Sequence, residues 1–281
     1  MKKLVFIGAG SMAEAMISGI IENKLMDPKN IWVTNKANKE KLTNLQQQYG
    51  VTGSYDSNLL FADTDAVVLA MKPKDAAAAI TEIRDYLSDE ILVISILAGI
   101  SINTIEELCK KSLAIARAMP NTSAAVGKSA TGIAVNHSVT EQQMEKIKQV
   151  FDTVGYAAFV PEEKLDAVTG LSGSGPAYIY YLVEAMEKGA AEIGLDQDIA
   201  KKLIIETFIG AAEMVKVSSK GSKQLRNEVT SPGGTTEAGI QILEENRVQQ
   251  AFVECIKAAA AQSKKMGDAL SAEIHSPKQI Y

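Results

Sequence analysis

Residues 4–13 read LVFIGAGSMA: an apolar run closes on Gly8-Ala9-Gly10 and passes directly into AEAMISGIIENKLM, which has the pattern of a helix. A strand, a tight turn and a helix in that order open a dinucleotide-binding βαβ unit. Gly8 suits the turn, Gly10 allows a pyrophosphate to approach the backbone, and Ala13 takes the third small position. Ser11 and Met12 stand at the helix start, where unpaired N–H groups and the positive end of the helix dipole favour an anion. A lone G-x-G-x-x-A carries little weight, but here the strand and helix that the motif requires flank it on both sides.

The next strand, NIWVT from Asn30 to Thr34, should end beside the adenosine ribose. A site that prefers NAD usually places Asp or Glu there to accept from the 2′-hydroxyl. This strand ends instead in Thr34, Asn35 and Lys36, and a lysine without a neighbouring carboxylate attracts a 2′-phosphate. NADP(H) is therefore the preferred cofactor, with NAD(H) possible.

Further along, β-branched and apolar runs alternate with helical segments: 66–70, 91–96, 113–116, 131–135 and 157–160. Such alternation predicts a parallel, doubly wound sheet covered by helices on both faces. The segment EQQMEKIKQVFDTVG, opened by Thr140, is one of those helices. In open α/β sheets ligands lie beyond the carboxyl ends of the strands. Three loops occupy that position. Ala70-Met71-Lys72-Pro73 bends the chain over the cofactor, with Lys72 as a cofactor-side contact rather than a catalytic lysine; Ala98-Gly99 lets a nicotinamide ring lie close; and Asn121 and Thr122 offer hydrogen bonds to a carboxamide or substrate.

After Pro161 the pattern changes to helix almost throughout, which divides the chain into a dinucleotide-binding domain (1–162) and a helical domain (163–281). Segments 176–193 and 203–215 are apolar around most of their circumference, so each must be covered on more than one side. A second copy of the chain is expected to supply that cover, giving an intertwined dimer. The fold class is thus α/β plus all-α.

Composition narrows the function. Net charge is −5, no run of Lys and Arg occurs, and the 46% hydrophobic content supports a large core, which speaks against a nucleic-acid surface. The longest apolar run, 91–100, is too short to span a bilayer, and the N-terminal MKKLVFIGAG lacks the pattern of a signal peptide, so a cytoplasmic protein is expected. Cys109 and Cys255 lack any paired spacing, so neither a disulfide framework nor a metal site is indicated; both read as buried, reduced thiols. His137 falls in a loop, and His275 in a polar tail expected to be mobile.

The helical half carries one dense loop, Val229–Gly239, reading VTSPGGTTEAG. Gly233 and Gly234 free backbone N–H groups to meet an anion, and the helix that follows adds its dipole. That combination reads as a carboxylate receptor. Upstream, GLSGSGPAY places Ser174 at a helix start, in the region facing the nucleotide domain.

In order and spacing, G8AGSMA, A70MKP, A98G, R117AMPNT, G170LSGSGPAY and V229TSPGGTTEAG resemble pyrroline-5-carboxylate reductase over essentially the whole chain. The resemblance implies the last step of proline synthesis, reduction of Δ1-pyrroline-5-carboxylate to L-proline by NAD(P)H. It also implies an N-terminal Rossmann-like domain, a helical C-terminal dimerisation domain, and a larger ring of dimers such as a decamer. Ser11 departs from the Asn that many members carry there, which touches only a detail of pyrophosphate contact.

The residues agree with that chemistry. A protonated cyclic imine already accepts hydride, so the protein must chiefly orient it, and no His, Cys or buried-looking carboxylate sits in any motif. Backbone N–H groups of Gly233, Gly234 and Thr235 are assigned to the substrate carboxylate, with Ser231 and Pro232 shaping the loop and Ser174 lining the substrate side. Following the resemblance, the Thr236 hydroxyl meets the ring nitrogen as hydrogen-bond partner and proton relay. Two rivals remain: a related imine or 3-hydroxyacid reductase, whose catalytic Lys or Asp pattern is not matched by the AYIYYLVEAMEKG helix with its Tyr178, Tyr180, Tyr181 and Lys188, and a non-catalytic NADP-binding sensor.

Overall fold

The computed structural model describes residues 1–275. The chain divides into two compact units, one of Met1–Pro176 together with the segment from Lys257, the other of Ala177–Ile256.

The first unit is built on an eight-stranded sheet in the order β3-β2-β1-β4-β5-β6-β7-β8. Its strands are β1 (Leu4–Ile7), β2 (Ile31–Thr34), β3 (Thr52–Gly53), β4 (Ala66–Leu69), β5 (Leu92–Ser95), β6 (Ala114–Met119), β7 (Ser129–Val135) and β8 (Gly155–Phe159). The connecting helices are α1 (Ser11–Glu22), α2 (Lys39–Tyr49), α3 (Ser57–Phe61), α4 (Ala76–Ile83), α5 (Ile102–Cys109) and α6 (Glu141–Asp152), with α7 (Leu165–Val168) after the last strand. Alternate residues of one strand feed opposite cores. Leu4 and Phe6 join Val68, Ile94 and Ala116 under α1 and α6; Val5 and Ile7 join Val67, Val93 and Ile115 under α4 and α5. A strand buried on both faces has no reason to alternate polar and apolar, which is why these runs read as unbroken hydrophobic stretches.

One strand departs from the wholly parallel sheet that the alternation predicts, and another, though parallel, was not foreseen. β7 runs antiparallel to β6. The link between them, 120–128, holds only a short 3-10 turn, and a parallel crossover needs a dozen or more residues. β3 is two residues long, too short to leave a periodic signal. Helix α6 is opened as expected by Thr140, its N-cap, whose side chain and that of Gln143 close a reciprocal capping box.

Strand structure ends near residue 162 as the sequence indicates, yet the packing of the first unit continues past it. Leu165 of α7 is fully buried in the core beneath the sheet. The last helix, α12 (Val248–His275), contributes its C-terminal part as well: Gly267 abuts Gly99, Ser271 meets the Thr104 hydroxyl at 3.3 Å, and Ser263 donates to Asp166 at 2.7 Å. A single uninterrupted helix gives no sequence signal that its packing partner changes along its length. His275 closes that helix, so the Glu-Ile-His stretch read as tail is helical; the tail from Ser276 lies outside the described residues. His137 is exposed in the loop after β7.

The second unit consists of α8 (Gly175–Glu192, from Ala177 onward), α9 (Gln197–Val217), α10 (Ser222–Glu228), α11 (Thr235–Glu245) and the start of α12. The short α10, SKQLRNE, lacks an apolar stripe and was not legible. Only Ala190, Ala200 and Ile204 are buried in this unit. Tyr181, Ile193, Ile209 and Val217 are 53–77% exposed, and Leu203, Met214 and Ile242 lie open beside them. Cys255 is exposed here, unlike the buried Cys109, because its helix face is one that this chain leaves uncovered. Among the described residues no helix is long and apolar enough to cross a membrane.

Candidate active site

Because β2, β1, β4, β5 and β6 are parallel neighbours, the turns that follow them share one edge of the sheet. The residues assigned to the cofactor, Gly8 to Met12, Asn35, Lys36, Ala70 to Pro73, Ala98 and Asn121, are all in those turns or at the start of α1.

At Gly8 the backbone has φ +117°, and a Cβ there would lie 2.4 Å from the Ala70 carbonyl oxygen. No L-residue fits. Gly10 differs, since a Cβ on it would meet nothing within 4 Å. The space above it is open, and α1 starts at Ser11 without a side-chain cap. First-turn N–H groups have no partner inside a helix, so this helix start presents them to whatever fills that space. The residues fit the pyrophosphate of a dinucleotide.

Beside the turn lies a cavity of about 240 Å³ lined by Gly8, Thr34, Asn35, Lys36, Tyr55 and Asp75, among others. Asn35 is held rigidly: its amide donates to the Asn38 carbonyl at 2.8 Å and accepts from the Asn38 N–H at 2.7 Å and the Tyr55 hydroxyl at 3.0 Å. Lys36 is 88% exposed, with its Nζ 3.5 Å from an Asp75 carboxylate oxygen. The absence of a carboxylate read from the end of β2 is thus corrected, because one arrives from the turn after β4. Pro73 opens that 3-10 turn, Pro73–Asp75, with exposed Lys72 just before it.

Asn121 is positioned otherwise than expected. Its amide donates to the Ser172 carbonyl at 2.9 Å and accepts from the Ser123 N–H at 3.1 Å, so the side chain joins two stretches of protein rather than pointing at an open site. Through this bond the R117AMPNT and GLSGSGP motifs meet. Arg117 pairs with Glu162 at 3.1 Å, and the same carboxylate accepts from the Ile102 N–H at 2.8 Å, clamping β6, α5 and the turn at 162–164. Residues 169–173 form a π-helical turn between α7 and α8, and the Ser174 N–H bonds back to the Thr169 carbonyl at 2.8 Å. Ser174 has helical backbone angles, so it continues a helix instead of capping one. Turns of this kind are frequent at functional sites.

In the second unit, Ser231-Pro232-Gly233-Gly234 is a tight turn closed by the Gly234 N–H on the Ser231 carbonyl at 3.0 Å, with Gly233 at φ +70°. Proline second and a positive-φ glycine third is the chemistry of a type II turn. Gly234 caps α11 without a side chain. The Gly233 N–H is also engaged, by the Glu237 carboxylate at 2.8 Å. Of the three N–H donors assigned to a carboxylate, two are therefore satisfied within the protein. What the helix start still offers is the N–H groups of Thr235 and Thr236, its first two residues, and their exposed side chains. Glu237 was missed, although its place three residues after the cap is a known spacing for a reach-back acid. Among the described residues, no three His, Cys, Asp or Glu side chains gather to hold a metal ion.

Residues 3–99 match the family model described as NADP oxidoreductase coenzyme F420-dependent, and residues 162–266 that described as pyrroline-5-carboxylate reductase dimerisation. Pyrroline-5-carboxylate reductase 2 of Bacillus subtilis is 48% identical over 94% of each chain. Among solved structures, a pyrroline-5-carboxylate reductase from Coxiella burnetii superposes with a TM-score of 0.88 at 37% identity, covering 94% of this chain and 98% of that one. The Plasmodium falciparum pyrroline carboxylate reductase, solved with NADP bound, gives 0.85 at 30% identity with the same coverage. Likeness of this extent runs through both halves of the molecule, and the chain belongs to the pyrroline-5-carboxylate reductase family of oxidoreductases.

Proposed function

We propose that this chain reduces Δ1-pyrroline-5-carboxylate to L-proline, closing proline synthesis, with NADPH preferred over NADH. The observation that carries the substrate half of this reading is the uncapped start of α11 behind the Ser231–Gly234 turn, whose Thr235 and Thr236 N–H groups suit a small carboxylate.

Gly8, Gly10, Ser11 and Met12 would hold the pyrophosphate, Asn35 and Lys36 the adenosine ribose, and Ala70, Lys72, Pro73 and Ala98 the nicotinamide half, with Asn121 bracing the loop behind it. When bound, the reduced dinucleotide supplies the hydride that the imine carbon receives. The remaining work is done by the protein. Thr235 and Thr236 N–H groups anchor the carboxylate, Ser231 and Gly233 keep the turn in shape, and Ser174 lines the substrate side. The Thr236 hydroxyl hydrogen-bonds the ring nitrogen, which carries the proton that remains on the product amine. Such fixed orientation is worth several kcal/mol, on the order of 7 where alignment is good.

The uncovered faces of α8, α9 and α11 suit a homodimer made through the helical half, with a ring of dimers up to a decamer as its extension, in the cytoplasm. The test is consumption of NADPH absorbance with Δ1-pyrroline-5-carboxylate as substrate. Stoichiometric proline is expected. A chain that binds NADPH yet leaves the imine unreduced would be a sensor, and the reading would fall.

A further inference from the structure

We infer that Asp75 sets how far this chain discriminates NADPH from NADH, acting as the ribose-recognising carboxylate that β2 does not provide. The inference rests on the cofactor reading above and names the residue that tunes it.

Asp75 lines the same cavity as Gly8, Thr34, Asn35 and Lys36. Its backbone is fixed, since it ends the 3-10 turn opened by Pro73 and its N–H bonds the Lys72 carbonyl at 2.9 Å. Although it stands at the entrance of α4, its carboxylate makes no capping bond to that helix. Its partner is Lys36 at 3.5 Å, a long contact to a flexible side chain that is itself 88% exposed. Asp75 is 36% exposed. The fixed charge at this rim of the cavity is therefore negative and the positive one is mobile.

The two cofactors differ only at the 2′ position in this region. A 2′-hydroxyl donates to a carboxylate, whereas a 2′-phosphate is repelled by it and must also compete with it for Lys36. Asp75 thus favours NADH and Lys36 favours NADPH, and the pair makes the site tolerant of both. In the usual dinucleotide fingerprint the acid lies about 20 residues beyond the glycines. This acid comes some 40 residues later in sequence, from the strand on the other side of β1, so linear spacing does not reveal it.

Dissociation constants for NADPH and NADH, read from the fluorescence of the bound nucleotide without any imine present, test this directly. Asp75→Asn should tighten NADPH and loosen NADH, moving their ratio by about three- to tenfold, the size expected of a partly screened charge. Lys36→Gln should move the ratio in the opposite direction. Glu82→Gln removes the same charge from another part of the cavity lining and should shift both constants together. An unchanged ratio in a folded Asp75→Asn protein, or an equal change of ratio in Glu82→Gln, would overturn the assignment. Should the wild-type chain bind neither nucleotide, the cofactor reading itself would be lost, a result distinct from either.

Discussion

The two units of this chain bury their apolar residues to very different extents. The sheet unit closes two cores, one on each face, and its central strands β1, β4 and β5 are almost without solvent contact. The helical unit has comparably hydrophobic helices, yet leaves Leu203, Ile205, Ile209, Met214 and Val215 open. Each such side chain gains roughly 1.5–3 kcal/mol when covered. So little interior of its own is what supports the proposed homodimer, in which a second copy would cover these side chains. The sheet unit closes its cores within one chain, whereas the helical unit does not.

The strongest way to break that contrast is to charge the open face. Ile209→Glu should abolish the dimer in sedimentation velocity and with it most activity; a dimer of unchanged affinity would mean the face has another use. The matching change in the sheet unit is Phe6→Ala, which should lower unfolding free energy by about 3–5 kcal/mol in denaturant titration while leaving the assembly intact. Loss of oligomer in that variant would show the units are not separable in this way.

Smaller effects sharpen the comparison between the glycine turn after β1 in the sheet unit and the start of α11 in the helical unit. Thr236→Val keeps shape and removes the hydroxyl, and turnover should drop on the order of 10²-fold with NADPH affinity unchanged. Wild-type turnover would remove the role given to Thr236. Glu237→Ala frees the Gly233 N–H and loosens the turn, so KM for the imine should rise about threefold while kcat holds, and Glu237→Gln should restore it. A kcat effect without a KM effect would place Glu237 in the chemistry instead. Last, the thiols differ. Burial pushes the Cys109 thiol up to about 11, so below that pH it stays protonated and shielded, whereas Cys255 is exposed in the single chain. A thiol reagent near neutral pH should leave Cys109 unmodified until the sheet unit unfolds; rapid labelling of Cys109 would contradict the core described for it.

What the sequence revealed follows the same division. In the sheet unit most strands are local hydrophobic runs and β1 ends in a glycine turn, so β1, α1 and the places of the loops after β4 and β5 were legible. Features requiring two distant segments could not: the antiparallel β7, Asp75 beside Lys36, and Asn121 turned toward Ser172 rather than a ligand. In the helical unit the longer helices were evident from their apolar character, though α10 was not, and the Ser231–Gly234 turn from its proline and glycines. Which N–H groups remain free depended on Glu237 folding back, a contact that composition does not announce.

Most direct of all is a crystal structure of the assembled enzyme with L-proline and coenzyme bound. The proline carboxylate is expected within hydrogen-bond reach of the Thr235 and Thr236 N–H groups, with the Thr236 hydroxyl on the ring nitrogen. Proline seated away from the start of α11, with that helix end still empty, would contradict it.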